Sequence, residues 1–142
     1  MTDEGAVTQG EREQAREQAS AILDRVRFDD KGLLPAVIQQ WDSREVLMVG
    51  WMDREAFLRT MSEGRVTFWS RSRQEYWRKG DTSGHVQYVR GAALDCDGDT
   101  LLVRVEQIGA ACHTGTRTCF DTDLLDPLEI QTPVQHAERS GS

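Results

Sequence analysis

Residues 46–64 read Val-Leu-Met-Val-Gly-Trp-Met-Asp-Arg-Glu-Ala-Phe-Leu-Arg-Thr-Met-Ser-Glu-Gly, an apolar run that passes into a helix. Val46–Trp51 has the length and side chains of a strand. Asp53 then offers an oxygen to the unpaired N–H groups of a first helical turn, and Met52 and Phe57 are placed to staple across it. Ala56, Phe57 and Met61 recur at helical spacing, and Gly64 can take the left-handed conformation that ends a helix. A strand feeding a helix at 53–63, with further strand runs on both sides, predicts an α+β fold built on a mainly antiparallel sheet with one or two short helices.

Upstream, Ala36–Trp41 is a second strand, and the polar turn Asp42-Ser43-Arg44 joins it to Val46–Trp51 as a hairpin. Lys31-Gly32-Leu33-Leu34-Pro35 is a turn into an extended run. Ala15, Ala19, Ile22 and Val26 mark one face of a helix over 11–26, within a polar segment of 1–27 whose first ten residues read as disordered. Downstream, Val66–Ser70 is a short strand. Residues 71–85 show no clean period and read as a functional loop. Val86–Leu94 is a strand interrupted at Gly91, and Leu101–Gln107 alternates with Leu101, Val103 and Val105 on one face. Residues 28–120 form the main domain, and 121–142 an acidic tail expected to fray.

The bulk numbers narrow the function classes. A chain of 142 residues is one domain's worth and needs no disulfide to hold a core. No apolar run reaches membrane-spanning length, and the first residues lack the apolar centre of a signal peptide. The expected compartment is the cytoplasm, where the three cysteines stay reduced and read as ligands or nucleophiles. The net charge is −7, yet residues 60–91 carry Arg65, Arg71, Arg73, Arg78, Lys79 and Arg90 against Glu63, Glu75 and Asp81. An acidic chain with one basic stretch points to a local anion site; neither a nucleic-acid nor a membrane partner is expected.

Three groups of residues carry chemistry. Cys96, Cys112 and Cys119 lie within 24 residues, with aspartates flanking Cys96 and His113 following Cys112. Three thiolates suit zinc and leave a fourth position for water. The alternatives are three buried small side chains, or a closed structural site that adds His113. Asp95, Asp97 and Asp99 alternate, so on an extended chain they face one way and Cys96 the other. Such carboxylates repel unless a hard cation, Mg²⁺ or Ca²⁺, sits among them. An EF-hand match from Asp95 to Glu106 fails at Thr100, where the loop needs glycine. The plain alternative is a solvated turn. Finally, Ser70-Arg71-Ser72-Arg73 and Trp77-Arg78-Lys79-Gly80-Asp81-Thr82-Ser83-Gly84-His85 combine guanidinium groups, hydroxyls and glycines that can cradle phosphate. Trp69, Tyr76 and Trp77 offer faces for a base. Single-stranded nucleic acid is the competing ligand for that loop, and the net charge opposes it.

These stretches, with Gly32-Leu33-Leu34-Pro35-Ala36, Trp51-Met52, Asp95-Cys96-Asp97-Gly98-Asp99, Ala111-Cys112-His113-Thr114-Gly115 and Cys119-Phe120, resemble phosphoribosyl-AMP cyclohydrolases over roughly residues 28–120. Gln40 stands where the resemblance leads one to expect an acid. The resemblance implies hydrolysis of the N1–C6 bond of 1-(5-phosphoribosyl)-AMP, the third step of L-histidine biosynthesis. It implies an intertwined homodimer in which Cys96 of one subunit joins Cys112 and Cys119 of the other around one Zn²⁺ per subunit. It implies that Asp95, Asp97 and Asp99 hold Mg²⁺, serving a phosphate or the ring. His113 is then the candidate general base. Arg71, Arg73, Lys79 and the Ser83-Gly84 backbone would hold the two phosphates, with Trp77, Gly80 and His85 in the same substrate loop. Some relatives carry a fused pyrophosphohydrolase domain; with about twenty polar residues after Phe120, none is expected here.

Overall fold

A computed structural model of the chain describes residues 7–127. Helix α1 (Gln9–Ile22) runs into a 3₁₀ turn at Leu23–Arg25. Strands β1 (Leu34–Gln40) and β2 (Val46–Met52) follow, then helix α2 (Arg54–Glu63), β3 (Thr67–Ser70), β4 (Glu75–Arg78), β5 (Gln87–Leu94) and β6 (Leu101–Gln107). Four strands form one sheet in the order β2-β1-β6-β5, and β3 pairs with β4 in a second. All pairings are antiparallel except β1 with β6, which runs parallel from Ala36 opposite Leu101 to Gln40 opposite Val105. The fold is α+β with a mainly antiparallel sheet, as the sequence predicts.

Alternation explains the core. β1 turns Leu34, Ala36 and Ile38 inward, and β6 turns Leu101, Val103 and Val105 to the same side, where Phe57 and Phe68 are fully buried. Burying one such phenyl ring contributes roughly 1.5–3 kcal/mol. Helix α2 begins where expected, since the Asp53 carboxylate accepts the Ala56 N–H at 2.9 Å. Met52 and Phe57 are both in the core, and Gly64 ends the helix at φ 76°. At Gly91 the register of β5 against β6 shifts between Val89 and Gly91, so the interruption is a bulge that leaves Arg90 as the extra residue.

The structure corrects three boundaries. Helix α1 starts at Gln9 and not at 11, because Thr8 and Glu11 form a reciprocal capping box with both bonds at 3.0 Å. Gln9 and Gly10 are therefore helical, while residues 1–6 of the segment expected to be disordered lie outside the described residues. The helix gives way after Ile22, and Val26 is extended. Finally, residues 75–78 are a strand inside the stretch read as a loop. Arg71–Gln74 makes a tight turn, with Gln74 at φ 56° and the Ser70 hydroxyl accepting the Arg73 N–H. Tyr76 then anchors the hairpin by donating to the Asp53 carboxylate at 2.7 Å. Of the acidic tail, 128–142 lies outside the described residues, and 121–127 has no regular structure.

Gln40 is buried, and its amide works at both ends. Its oxygen accepts the Gln107 N–H at 3.0 Å while its nitrogen donates to Asp42 at 3.0 Å. A carboxylate there would accept from Gln107 equally well but would repel Asp42.

Candidate metal centres and nucleotide cleft

Strand β6 has a metal-type cluster at each end. At its start the chain folds back through residues 95–100. The Asp95 carboxylate accepts the N–H groups of Asp99 and Thr100 at 3.0 and 3.3 Å, and the Gly98 N–H returns to the Asp95 carbonyl at 3.1 Å. Gly98 sits at φ 77° with no room for a side chain, since a Cβ would lie 2.4 Å from the Arg25 carbonyl oxygen. Its own carbonyl accepts the Arg27 N–H at 2.7 Å, which ties the turn to the segment after α1.

This fold-back, and not an extended alternation, gathers the carboxylates. One oxygen from each of Asp95, Asp97 and Asp99 lies within 4.8 Å of the others, all exposed; this is the one such group of three among the described residues. Hydrogen bonding with Asp97 and Asp95 holds the Asp99 carboxyl above its ordinary range. Desolvation pushes Asp95 upward, but the hydrogen bonds it accepts from Asp99, Asp97 and Thr100 outweigh it and leave Asp95 below that range. A site where three acids cannot all ionise freely has the donor chemistry of a hard-cation site. Cys96 is exposed and borders, with Asp95 and Asp97, a cavity of about 610 Å³ beside Arg25, Phe57 and Met61.

Beyond the other end of β6, residues 111–117 form a small loop. Ala111 N–H bonds Arg117 O, Cys112 N–H bonds Thr116 O, and Gly115 closes the turn at φ 97° by donating to Cys112 O. The Cys119 N–H is held at 2.8 Å by the carbonyl of Leu47, near the start of β2. Cys112 and Cys119 are thereby neighbours. The Thr114 hydroxyl donates to the Cys112 sulfur at 3.1 Å and brings its pKa down to about 6, while partial desolvation, then the hydrogen bond with Cys112 and its charge, push the thiol of Cys119 up although that residue is exposed. Two adjacent thiols, one ionised at neutral pH, fit a zinc ion. Thr114 is missing from the expected site; its signal is a hydroxyl two residues beyond a cysteine.

The seven residues of β6 set these ends about 20 Å apart. The three cysteines form no cluster within one chain, since the one group of three close metal-type side chains among the described residues is Asp95, Asp97 and Asp99.

The substrate residues surround the cysteine end unevenly. Arg73, Trp77, Gly80, Ser83 and His113 border a cavity of about 740 Å³. Arg71 lies in an adjoining cavity of about 850 Å³, its guanidinium 4.5 Å from the Trp51 ring centre. Trp77 borders both cavities and is 38% exposed, with its ring 4.8 Å from that of Phe68. Gly84 and His85 border neither: Gly84 donates to Gly80 O to close the loop, and His85 packs over Gly109. Lys79 also borders the 740 Å³ cavity, but its ammonium turns inward to the Ala111 carbonyl at 2.6 Å. No helix among the described residues is long and apolar enough to cross a membrane.

A family model described as phosphoribosyl-AMP cyclohydrolase matches residues 48–121. Proteins named phosphoribosyl-AMP cyclohydrolase include one from Leifsonia xyli subsp. xyli that is 70% identical over 82% of this chain and 93% of its own length. One from Clavibacter sepedonicus is 76% identical over 80% of this chain and 82% of its own. One from Streptomyces coelicolor is 66% identical over 75% and 84%.

Proposed function

The chain belongs to the phosphoribosyl-AMP cyclohydrolase family and is a hydrolase, and we propose that it opens the purine ring of 1-(5-phosphoribosyl)-AMP in cytoplasmic L-histidine biosynthesis. The observation that carries the reading is that His113, the chain neighbour of the paired Cys112 and Cys119, borders the cavity edged by Arg73, Ser83 and Trp77.

In this reading Arg73 and the Ser83 region bind one phosphate, and Arg71, from the adjoining cavity, binds the other. The exposed face of Trp77 stacks against the base. Cys112 and Cys119 with Cys96 of a second subunit would hold zinc, and Asp95, Asp97 and Asp99 would hold Mg²⁺. Zinc in such a set supplies Lewis acidity that lowers the pKa of a bound water. Three thiolates donate more charge than three imidazoles, so His113 assists as general base. It takes a proton as the water oxygen bonds to C6, and returns it to N1 as the N1–C6 bond breaks. The 20 Å between the ends of β6 supports a homodimer with two shared sites.

The test is turnover of phosphoribosyl-AMP by the purified protein, with and without a strong chelator. Loss of ring opening on chelation and its return with Zn²⁺ are expected. Full activity of a metal-stripped Cys112→Ala/Cys119→Ala protein would sink the reading.

A further inference from the structure

Lys79 follows β4, and its backbone is fixed on both sides. Its N–H donates to Val66 O at 2.9 Å, and its carbonyl accepts from the Arg65 guanidinium at 3.2 Å. The next residue, Gly80, is at φ 92° with a would-be Cβ 2.4 Å from the Val86 Cα, so the chain there has no slack. The residue is 9% exposed, and its ammonium reaches Ala111 O at 2.6 Å. Ala111 is itself buried and adjoins Cys112. Burial disfavours the charged amine, and what opposes that is the charge of Cys119 and Cys112. A lysine meant for a solvated phosphate has no reason to bury its head against the carbonyl that precedes Cys112.

We propose that Lys79 is a positioning residue of the thiolate pair, a buried counter-charge that holds the 111–119 loop through Ala111, and that it does not bind phosphate. This rests on the zinc reading above. Three thiolates and one divalent ion carry a net negative charge, which a single ammonium cancels. A neutral centre binds its metal without accumulating buried charge and leaves the metal more electron-poor than the thiolates alone would.

The experiment compares Lys79→Met, Lys79→Arg and Cys112→Ser with the unsubstituted full chain. Zinc affinity is read by competition with a chromophoric chelator, thiolate–metal geometry by the visible spectrum of the Co²⁺-loaded protein, and KM by turnover. Lys79→Met should lower zinc affinity about 10–100-fold, the range for outer partners of a metal site. It should also shift the Co²⁺ bands and leave KM unchanged, with Lys79→Arg closer to the unsubstituted chain. Unchanged zinc affinity in Lys79→Met, or a raised KM with unchanged Co²⁺ bands, overturns the proposal. Cys112→Ser separates the two levels. If it keeps full zinc affinity, the zinc reading itself fails; if it loses zinc while Lys79→Met does not, only the role of Lys79 fails. Should Lys79→Met not give folded protein by circular dichroism, Lys79→Gln, which drops the charge but keeps a donor, is read in the same way.

Discussion

The two ends of β6 use opposite strategies. The aspartate turn is complete within one chain: its three carboxylates converge, and backbone bonds from Asp99, Thr100 and Arg27 fix its shape. The cysteine loop assembles two thiols and stops, with the third stranded beside the aspartates. A hard cation can thus be gathered by one local fold-back. A thiolate set divided by a strand would need a second copy of the chain to complete it. Proximity in sequence decided the first cluster, and proximity across an interface would decide the second.

The largest effect should come from dividing the cysteine set between chains. Cys96→Ala and Cys112→Ala proteins are each expected to lose turnover by more than about 100-fold, beyond what outer-sphere changes cost. Unfolded, mixed in equal amounts and refolded together, they should recover about a quarter of the original activity, because half of the dimers are mixed and each has one intact site. No recovery would break the comparison by placing all ligands in one chain.

Next comes the rigidity of the two turns. Gly98→Ala adds left-handed strain to a clash with the Arg25 carbonyl, and should cost about 2–4 kcal/mol in denaturant titration. Gly115→Ala meets no atom within 4 Å and should cost about 1–2 kcal/mol, from strain alone. Equal costs would mean that the aspartate turn is no more tightly held than the cysteine loop.

A smaller effect separates the two thiols. In metal-free protein the Cys112 thiol, at about 6, is mostly ionised at pH 7, so its alkylation rate should fall as pH drops through 6. Thr114→Val removes the donor that stabilises the thiolate. It should move that midpoint upward and slow alkylation at pH 7 roughly tenfold, read by peptide mass spectrometry. Cys119, raised by partial desolvation and by its neighbour Cys112, should react more slowly at the same pH.

The smallest concerns the acids. The Asp99 carboxyl is raised, so the folded state carries a repulsive cost above that raised value, and the cost vanishes as pH falls below the unfolded carboxylate range. Mg²⁺ should therefore raise Tm at pH 7 by roughly 2–4 °C, and the gain should disappear near pH 4.

The sequence makes legible whatever is encoded locally. Helix 53–63 is written in its cap, staple and stop, and β6 in the alternation of Leu101, Val103 and Val105. β4 is not, because only Tyr76 of Glu75–Arg78 turns inward with purpose, and its turn uses Gln74 at positive φ where no glycine announces it. The parallel pairing of β1 with β6 has no local sign, since alternation reveals a strand's faces but not its neighbour. The same limit applies at the site. Cysteines and aspartates advertise metal chemistry, and the strand separating Cys96 from its partners is visible as a span of residues. The inward turn of Lys79 is not, because lysine reads as a surface charge until the Ala111 carbonyl above it is placed.

The parallel seam between β1 and β6 also orders the events of folding. Each flanking hairpin, β1–β2 and β5–β6, joins strands that neighbour each other in sequence, and such local pairs close quickly. The seam joins Ala36 to Leu101, 65 positions apart, and must wait for the larger entropy of that loop to be overcome. Its closure brings Leu47, on the first hairpin, alongside Cys119 beyond the second. The cysteine loop therefore docks its Cys119 N–H on Leu47 only after the longest-range strand pairing of the sheet has formed.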